Sequence, residues 1–400
     1  VLTGRQHADL DQIAEDIAKV CLVHGEMFGL PLPVKQYLFL VTVVKEGYGG
    51  LEHRDSSSRL CSRDDLSVGG EKVSEGYRRF LGLCSHEYFH LWNVKRIRPA
   101  RFADSDLSGE AYSDMLWAFE GFTSYYDDLA LVRSGVIPAD AYLELLAQSV
   151  TRLMRNGGRQ RQSIAESSFY AWTKFYKQDE NAPNAIVSYY TKGALVAFGL
   201  DMTLRVQSDG EASLDDVMRL LWNTYGQSET AVPEGGIERV VAKVAGRDMA
   251  DFFAAYVYGT GELPLVEWLR QVGVGVRLQP ARDPKDKGGI GDPGNAPPST
   301  KAVLGSSFAA EPGGVRLTQV FDGSGAQAAG LSPGDLVIAV DGLRVQADTF
   351  AEDIARRPVG EPVQLHAFRR DELRVFQVHP KLAPDDTCYL WCCLLYTSPS

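Results

Sequence analysis

The stretch S-H-E-Y-F-H-L-W-N at residues 85–93 constrains this 400-residue chain more than any other. On a helix, residues four apart lie one above the other, so His86 and His90 can aim two imidazole nitrogens at one point, with Glu87 projecting beside it. H-E-x-x-H on a helix is the pattern in which two histidines hold one zinc ion and the glutamate serves as general base. A catalytic zinc site takes three protein ligands and keeps one position open, so a third ligand has to come from elsewhere. Glu120 is the candidate. It lies in L-W-A-F-E-G-F-T-S-Y-Y, within an apolar-periodic segment from about residue 113 to 132 that predicts a helix able to pack against the first. Asp127 falls on the same face seven residues later, where it can accept the other ring N–H of a ligating histidine; the plainer alternative is an acidic residue on a solvated face.

Charge narrows the partners. A formal net charge of −11 and no long Lys/Arg run argue against a nucleic-acid surface. The longest apolar run, residues 37–44, is strand-sized, so no membrane span is expected. Six cysteines show no disulfide-framework spacing, and the compartment, cytoplasm or periplasm of a bacterium, is left open. Hydrophobic residues make up 44% of the chain, enough for a sizeable core and two or three domains.

Taken in order, the first twenty residues have helical periodicity, and residues 37–44 read as a buried strand leading to G-G-L-E-H at residues 49–53. Alone, that pentapeptide is an ordinary strand-to-loop turn. Residues 55–70, with their serine run, read as a polar surface loop, and residues 71–260 as almost entirely helical. Cys84 precedes His86 by two residues and so faces another direction, as a packing residue. Residues 283–300 form a Gly/Pro-rich loop, followed by short strands and turns that include A-G-L-S-P-G-D-L-V-I-A-V-D-G.

Four motifs together resemble the glycyl aminopeptidase family of gluzincin metallopeptidases: G-G-L-E-H, H-E-x-x-H-x-W-N, W-x-x-E-G-F and Y-x-K-G. The resemblance implies an α+β chain, a thermolysin-like, mostly helical zinc-peptidase domain followed by a small β-rich PDZ domain. It assigns one zinc ion to His86, His90 and Glu120, with Glu87 as general base. Tyr190, of Y-x-K-G, would stabilise the oxyanion, with neighbouring Tyr189 as the alternative register. Glu52 would hold the free α-amine of a peptide substrate, with Gly49 and Gly50 aligning its backbone. The activity implied is release of an N-terminal residue, small ones such as Gly or Ala being favoured. The alternatives are a zinc endopeptidase with the same centre and an inactive PDZ-bearing binding protein. The A-G-L-x-x-G-D run resembles bacterial PDZ domains, which take peptide C-termini, with Leu304-Gly305 matching their carboxylate loop. Domain limits are expected at 1–262 for the peptidase and 263–383 for the PDZ unit. A β domain of the family is expected upstream, and the Cys-rich residues 384–400 are expected to lie outside either fold.

Overall fold

The computed structural model describes residues 1–70, 73–103, 105–106, 108–292, 294 and 300–393. It is α+β, a helical unit with a small sheet at its N-terminal side and a β-rich unit after it. The chain opens with β1 (Leu2–Thr3), α1 (Leu10–Phe28), β2 (Leu38–Val44), β3 (Tyr48–Glu52) and β4 (Ser56–Ser62). Then come α2 (Glu75–Phe89), α3 (Ala100–Ala103), α4 (Leu116–Phe119), α5 (Gly121–Arg133), α6 (Ala139–Met154), α7 (Ile164–Phe169) and α8 (Ala182–Ala185). The helical run ends with α9 (Thr191–Gln207), α10 (Leu214–Leu221), α11 (Gly236–Ala245), α12 (Ala250–Tyr256) and α13 (Leu265–Gln271).

The first sheet has the order β1-β2-β4-β3, with β2 and β4 parallel and β3 antiparallel to β4, so that G-G-L-E ends on an edge strand. Two expectations are corrected here. Strand β2 is half-buried: Val41 and Val43 face the core while Leu38 and Leu40 are 42% and 41% exposed. The serine-rich segment is not a loop but strand β4, one of the two inner strands of the sheet. Its inward residues are Ser57, Arg59 and Cys61, so its period of two is carried by small or polar side chains and escapes an apolar pattern.

Helix α2 starts at Ser74, whose side chain accepts the Tyr77 N–H. Its buried face, Tyr77, Phe80, Leu81 and Cys84, packs with Val41, Val43 and Cys61 of the sheet and with Ile13 and Val20 of α1. Cys84 is thus a packing residue. A second, larger core runs through the helices, from Trp92, stacked on Phe28 with ring centroids 4.6 Å apart, to Trp268.

The domain limit and the tail are also corrected. Strands β5 (Val274–Gln279) and β6 (Gly289–Ile290) belong to the helical unit. The β-rich unit follows as β7 (Ala302–Val303), β8 (Ser306–Glu311), β9 (Gly314–Val320), α14 (Gly325–Ala328), β10 (Leu336–Val340), β11 (Leu343–Arg344), α15 (Phe350–Ala355), β12 (Val363–Arg369), β13 (Glu372–Val378) and β14 (Lys381–Leu382). Its sheet order is β13-β12-β10-β9-β8, its core includes Val315, Leu317, Val337 and Leu365, and β8 is an edge strand. The chain then returns: β15 (Thr387–Cys392) pairs antiparallel with β5 and parallel with β6. Cys388 and Leu390 are fully buried in the helical core, and the Cys388 N–H donates to Thr151 Oγ1 of α6 at 2.8 Å. An apolar strand with a distant partner accounts for the composition; residues 394–400 of the expected tail lie outside the described residues, as do 293 and 295–299 of the expected loop. Among the described residues no helix is long and apolar enough to cross a membrane.

Candidate metal centre

His86 lies in the last turn of α2 and His90 is its C-terminal cap, still right-handed helical, so the four-residue stacking survives to the helix end. The two imidazoles meet edge to face with centroids 4.8 Å apart. Glu120 is not inside one helix as expected; it is the joint between α4 and α5. Its Oε2 lies 3.2 Å from His86 Nε2 and 3.4 Å from His90 Nε2.

What brings Glu120 there is a close crossing of α5 and α9. A Cβ on Gly121 would lie 2.6 Å from the Gly193 carbonyl carbon, and one on Gly193 would lie 2.9 Å from the Trp117 carbonyl oxygen. The glycines of E-G-F and K-G therefore let two backbones touch, and with them the residues just before each helix, Glu120 and Tyr190. Of the two candidate tyrosines, Tyr189 is buried in the core while Tyr190 lines the cleft, its ring 6.3 Å from that of His86.

Both histidines are fixed from behind. His86 Nδ1 is 3.0 Å from Asp127 Oδ2, and His90 Nδ1 donates to the Asn93 carbonyl at 2.8 Å. Asn93, to which the sequence reading gave no part, then ties the helix end to the Glu120 joint: its Nδ2 donates to the carbonyls of Ala118 and Phe119 and to Thr123 Oγ1. Only its place in H-x-W-N could have signalled this.

The donor set fits a divalent cation. With protons held on both Nδ1 atoms, the Nε2 lone pairs face a carboxylate oxygen, and the three atoms lie within 4.8 Å of one another. Such a convergence is unfavourable unless a cation or extra protons sit within it. Burial opposes charge on His86, but Asp127 and Glu120 outweigh it and raise its pKa well above the usual value. Burial likewise opposes charge on Glu120, and His90 and His86 outweigh it, holding the carboxyl far below the usual range. Two nitrogens and one carboxylate oxygen, with outer N–H groups bonded, are the donors and supports that divalent transition metals use.

Glu87 is buried beside this point, and its Oε2 has no hydrogen-bond partner among the described residues. Burial raises its pKa. Strand β3 crosses directly over it: a Cβ on Gly50 would lie 1.9 Å from Glu87 Oε1, so any other residue there would have to displace the Glu87 carboxylate. Tyr37, which the sequence reading took only as the start of a strand, donates its hydroxyl to the Glu87 carbonyl at 2.9 Å. Glu52, at the end of β3, comes within 4.8 Å of donor atoms of Glu87 and His90. It is not bare, since Lys95 Nζ lies 3.0 Å from its Oε1. A cavity of about 1220 Å³ opens from the centre, lined by Tyr48, Gly49, Gly50, His86, Glu87 and Tyr190 among others. Tyr176 also lines it, with its hydroxyl 2.9 Å from that of Tyr190. It lies just after a π-helical turn, Ala171–Phe175, a feature no sequence period announces.

Residues 79–196, which carry His86, Glu87, His90, Glu120, Tyr176 and Tyr190 but not Glu52, match the model of the M61 glycyl aminopeptidase family. The chain belongs to this family. Among solved structures, this glycyl aminopeptidase family chain is similar to the aminopeptidase N family protein from Idiomarina loihiensis, at 40% identity and a TM-score of 0.90 over 98% of the chain. It spans about two thirds of that protein, 66% of its length. Shorter overlaps occur with the serine endoprotease from Yersinia pestis, at 15% identity and a TM-score of 0.20 over 22% of this chain and 31% of that one. The HtrA3 PDZ domain bound to a phage-derived ligand overlaps 21% of this chain and 88% of its own, at 20% identity and a TM-score of 0.19. No curated protein matches the chain.

Proposed function

We propose that this peptidase is a zinc-dependent aminopeptidase that removes an N-terminal residue from peptides, with Gly or Ala favoured. The observation that carries the reading is the convergence of His86, His90 and Glu120 beside a buried carboxylate, Glu87, whose Oε2 has no hydrogen-bond partner among the described residues, under the glycine edge of β3. A zinc ion held by the triad would supply Lewis acidity toward the scissile carbonyl and the attacking water. The remaining work belongs to the chain. The edge of β3 at Gly49 and Gly50 aligns an extended peptide by main-chain pairing. Glu87, desolvated and without a competing hydrogen bond, accepts the proton of the attacking water and returns it to the leaving amine. Tyr190 donates its hydroxyl to the developing oxyanion; burial raises its pKa, so it stays a donor. Glu52 receives the α-ammonium group, and Asp127 holds the His86 ring.

A second reading, an endopeptidase, draws support from one observation: the Glu52 carboxylate already has a cation beside it, Lys95. Release of chromophore from glycyl-anilide and from its N-acetylated form, each with and without a zinc chelator, separates the two. Chelator-sensitive cleavage of the free-amine substrate alone is expected, and cleavage of both would favour the endopeptidase. For the β-rich unit we keep the PDZ reading, with peptide C-termini adding along β8 near Leu304-Gly305. The support is the free edge of β8 and the helix α15 beside it, where Phe308 meets Phe350 with ring centroids 5.0 Å apart.

A further inference from the structure

Lys95 lies outside all four motifs, yet its ammonium is the nearest cation to the carboxylate proposed to receive the substrate amine. The pair is half-sheltered, with side chains 27% exposed for Lys95 and 21% for Glu52. The root of Lys95 is fixed more firmly than its stem. Its N–H donates to the His90 carbonyl at 3.2 Å, and the Val94 N–H donates to the Ile97 carbonyl at 2.9 Å. Val94 itself has φ +99°, a left-handed conformation costly for a β-branched residue. The next residue, Arg96, anchors the turn by donating to the carbonyls of Leu91 and Arg54 at 2.8 and 3.1 Å. The turn that presents the Asn93 carbonyl to His90 thus also delivers Lys95 to Glu52.

We propose that Lys95 sets the selectivity for the peptide N-terminus by occupying the Glu52 carboxylate until a substrate ammonium displaces it. The inference rests on Glu52 as the amine anchor. A free amine gains less from a carboxylate that is already paired than from a bare one. A blocked N-terminus, in turn, meets a carboxylate whose charge is already answered, so it is not penalised for leaving a desolvated anion alone. Lys95 therefore narrows the gap between free and blocked substrates, and the cost falls on binding, before any bond changes.

The test compares wild type, K95M, K95R and E52Q on glycyl-anilide and acetylglycyl-anilide, with zinc content and Tm recorded for each. Methionine keeps the stem and removes the charge. K95M should raise the free-to-blocked ratio of kcat/KM by about two- to fivefold, the size of a half-exposed ion pair, through a lower KM for glycyl-anilide. Glycinamide should inhibit K95M more tightly by a similar factor, and K95R should restore wild-type values. A purely structural role for Lys95 would move both substrates together, and that outcome overturns the proposal. So does an unchanged or lower ratio in K95M. If E52Q raises KM for the free amine while K95M is silent, the anchor reading stands and this inference fails. If both variants are silent, both fail.

Discussion

The triad His86, His90 and Glu120 and the pair Glu52 and Lys95 are neighbours held by different kinds of structure. In the triad each member is buried or nearly so and is fixed from two sides: His86 by Glu120 and Asp127, His90 by Glu120 and the Asn93 carbonyl. In the pair, two long side chains about a quarter exposed meet through one contact of 3.0 Å. Packing that over-determines a site leaves its geometry little freedom, whereas a half-exposed ion pair is worth little and can exchange partners. Chemistry is assigned to the rigid part and choice of substrate to the adjustable one. That division can be broken by experiment.

The largest effect belongs to the proposed base, Glu87. E87Q removes the proton acceptor but keeps the shape, so kcat should fall by about 10²- to 10⁴-fold while bound zinc, measured by elemental analysis, stays at the wild-type level. Turnover within a few-fold of wild type would take Glu87 out of the mechanism. E52Q comes next. Losing a charge-assisted hydrogen bond of about 1.5–3 kcal/mol should raise KM for glycyl-anilide by roughly ten- to a hundredfold and leave the acetylated substrate nearly untouched. An equal loss on both would mean that the pair is part of the rigid centre after all. D127N tests the other side of the comparison. The amide can still contact His86 but no longer fixes its tautomer by charge, and zinc affinity should fall by about ten- to a hundredfold in competition with a chromogenic chelator. An unchanged affinity would leave Asp127 as an acidic residue that merely lies nearby.

How far the sequence disclosed these features depends on the distance over which each is built. His86, Glu87 and His90 are set by one helical repeat and can be read locally. Glu120 and Tyr190 became legible through motif glycines whose reason is spatial, the crossing of α5 and α9 at Gly121 and Gly193. Strand β4 escapes a periodicity reading because Ser57 and Arg59 bury without looking apolar. Strand β15 is not legible locally because its partner β5 lies more than a hundred residues away, so its apolar run has no visible destination. The Lys95 contact joins a strand end to a strained turn 43 residues later, and neither has a period. Periodicity reports faces of elements; it does not report which loop meets which edge.

The smallest effect expected sharpens the boundary between the two regions. Tyr190 stands at the start of α9, placed by the glycine crossing, but its hydroxyl is oriented by Tyr176, a residue 63% exposed on the cleft rim. The backbone of the proposed oxyanion donor thus belongs to the rigid part and its hydroxyl to the adjustable one. Y176F removes the partner of the Tyr190 hydroxyl and the acceptor of the Tyr189 hydroxyl 3.3 Å away; the bond to Tyr190 is neutral and worth about 0.5–1.5 kcal/mol, so kcat should fall by roughly two- to twelvefold with zinc affinity unchanged. Y190F should lose much more, about 10²- to 10³-fold. If Y176F matched Y190F, the two hydroxyls would act as one donor unit, and the oxyanion side would have to be counted with the exposed rim. If Y176F were silent, the position of Tyr190 at the helix start would suffice to aim its hydroxyl, and packing alone would account for the chemical half of the site.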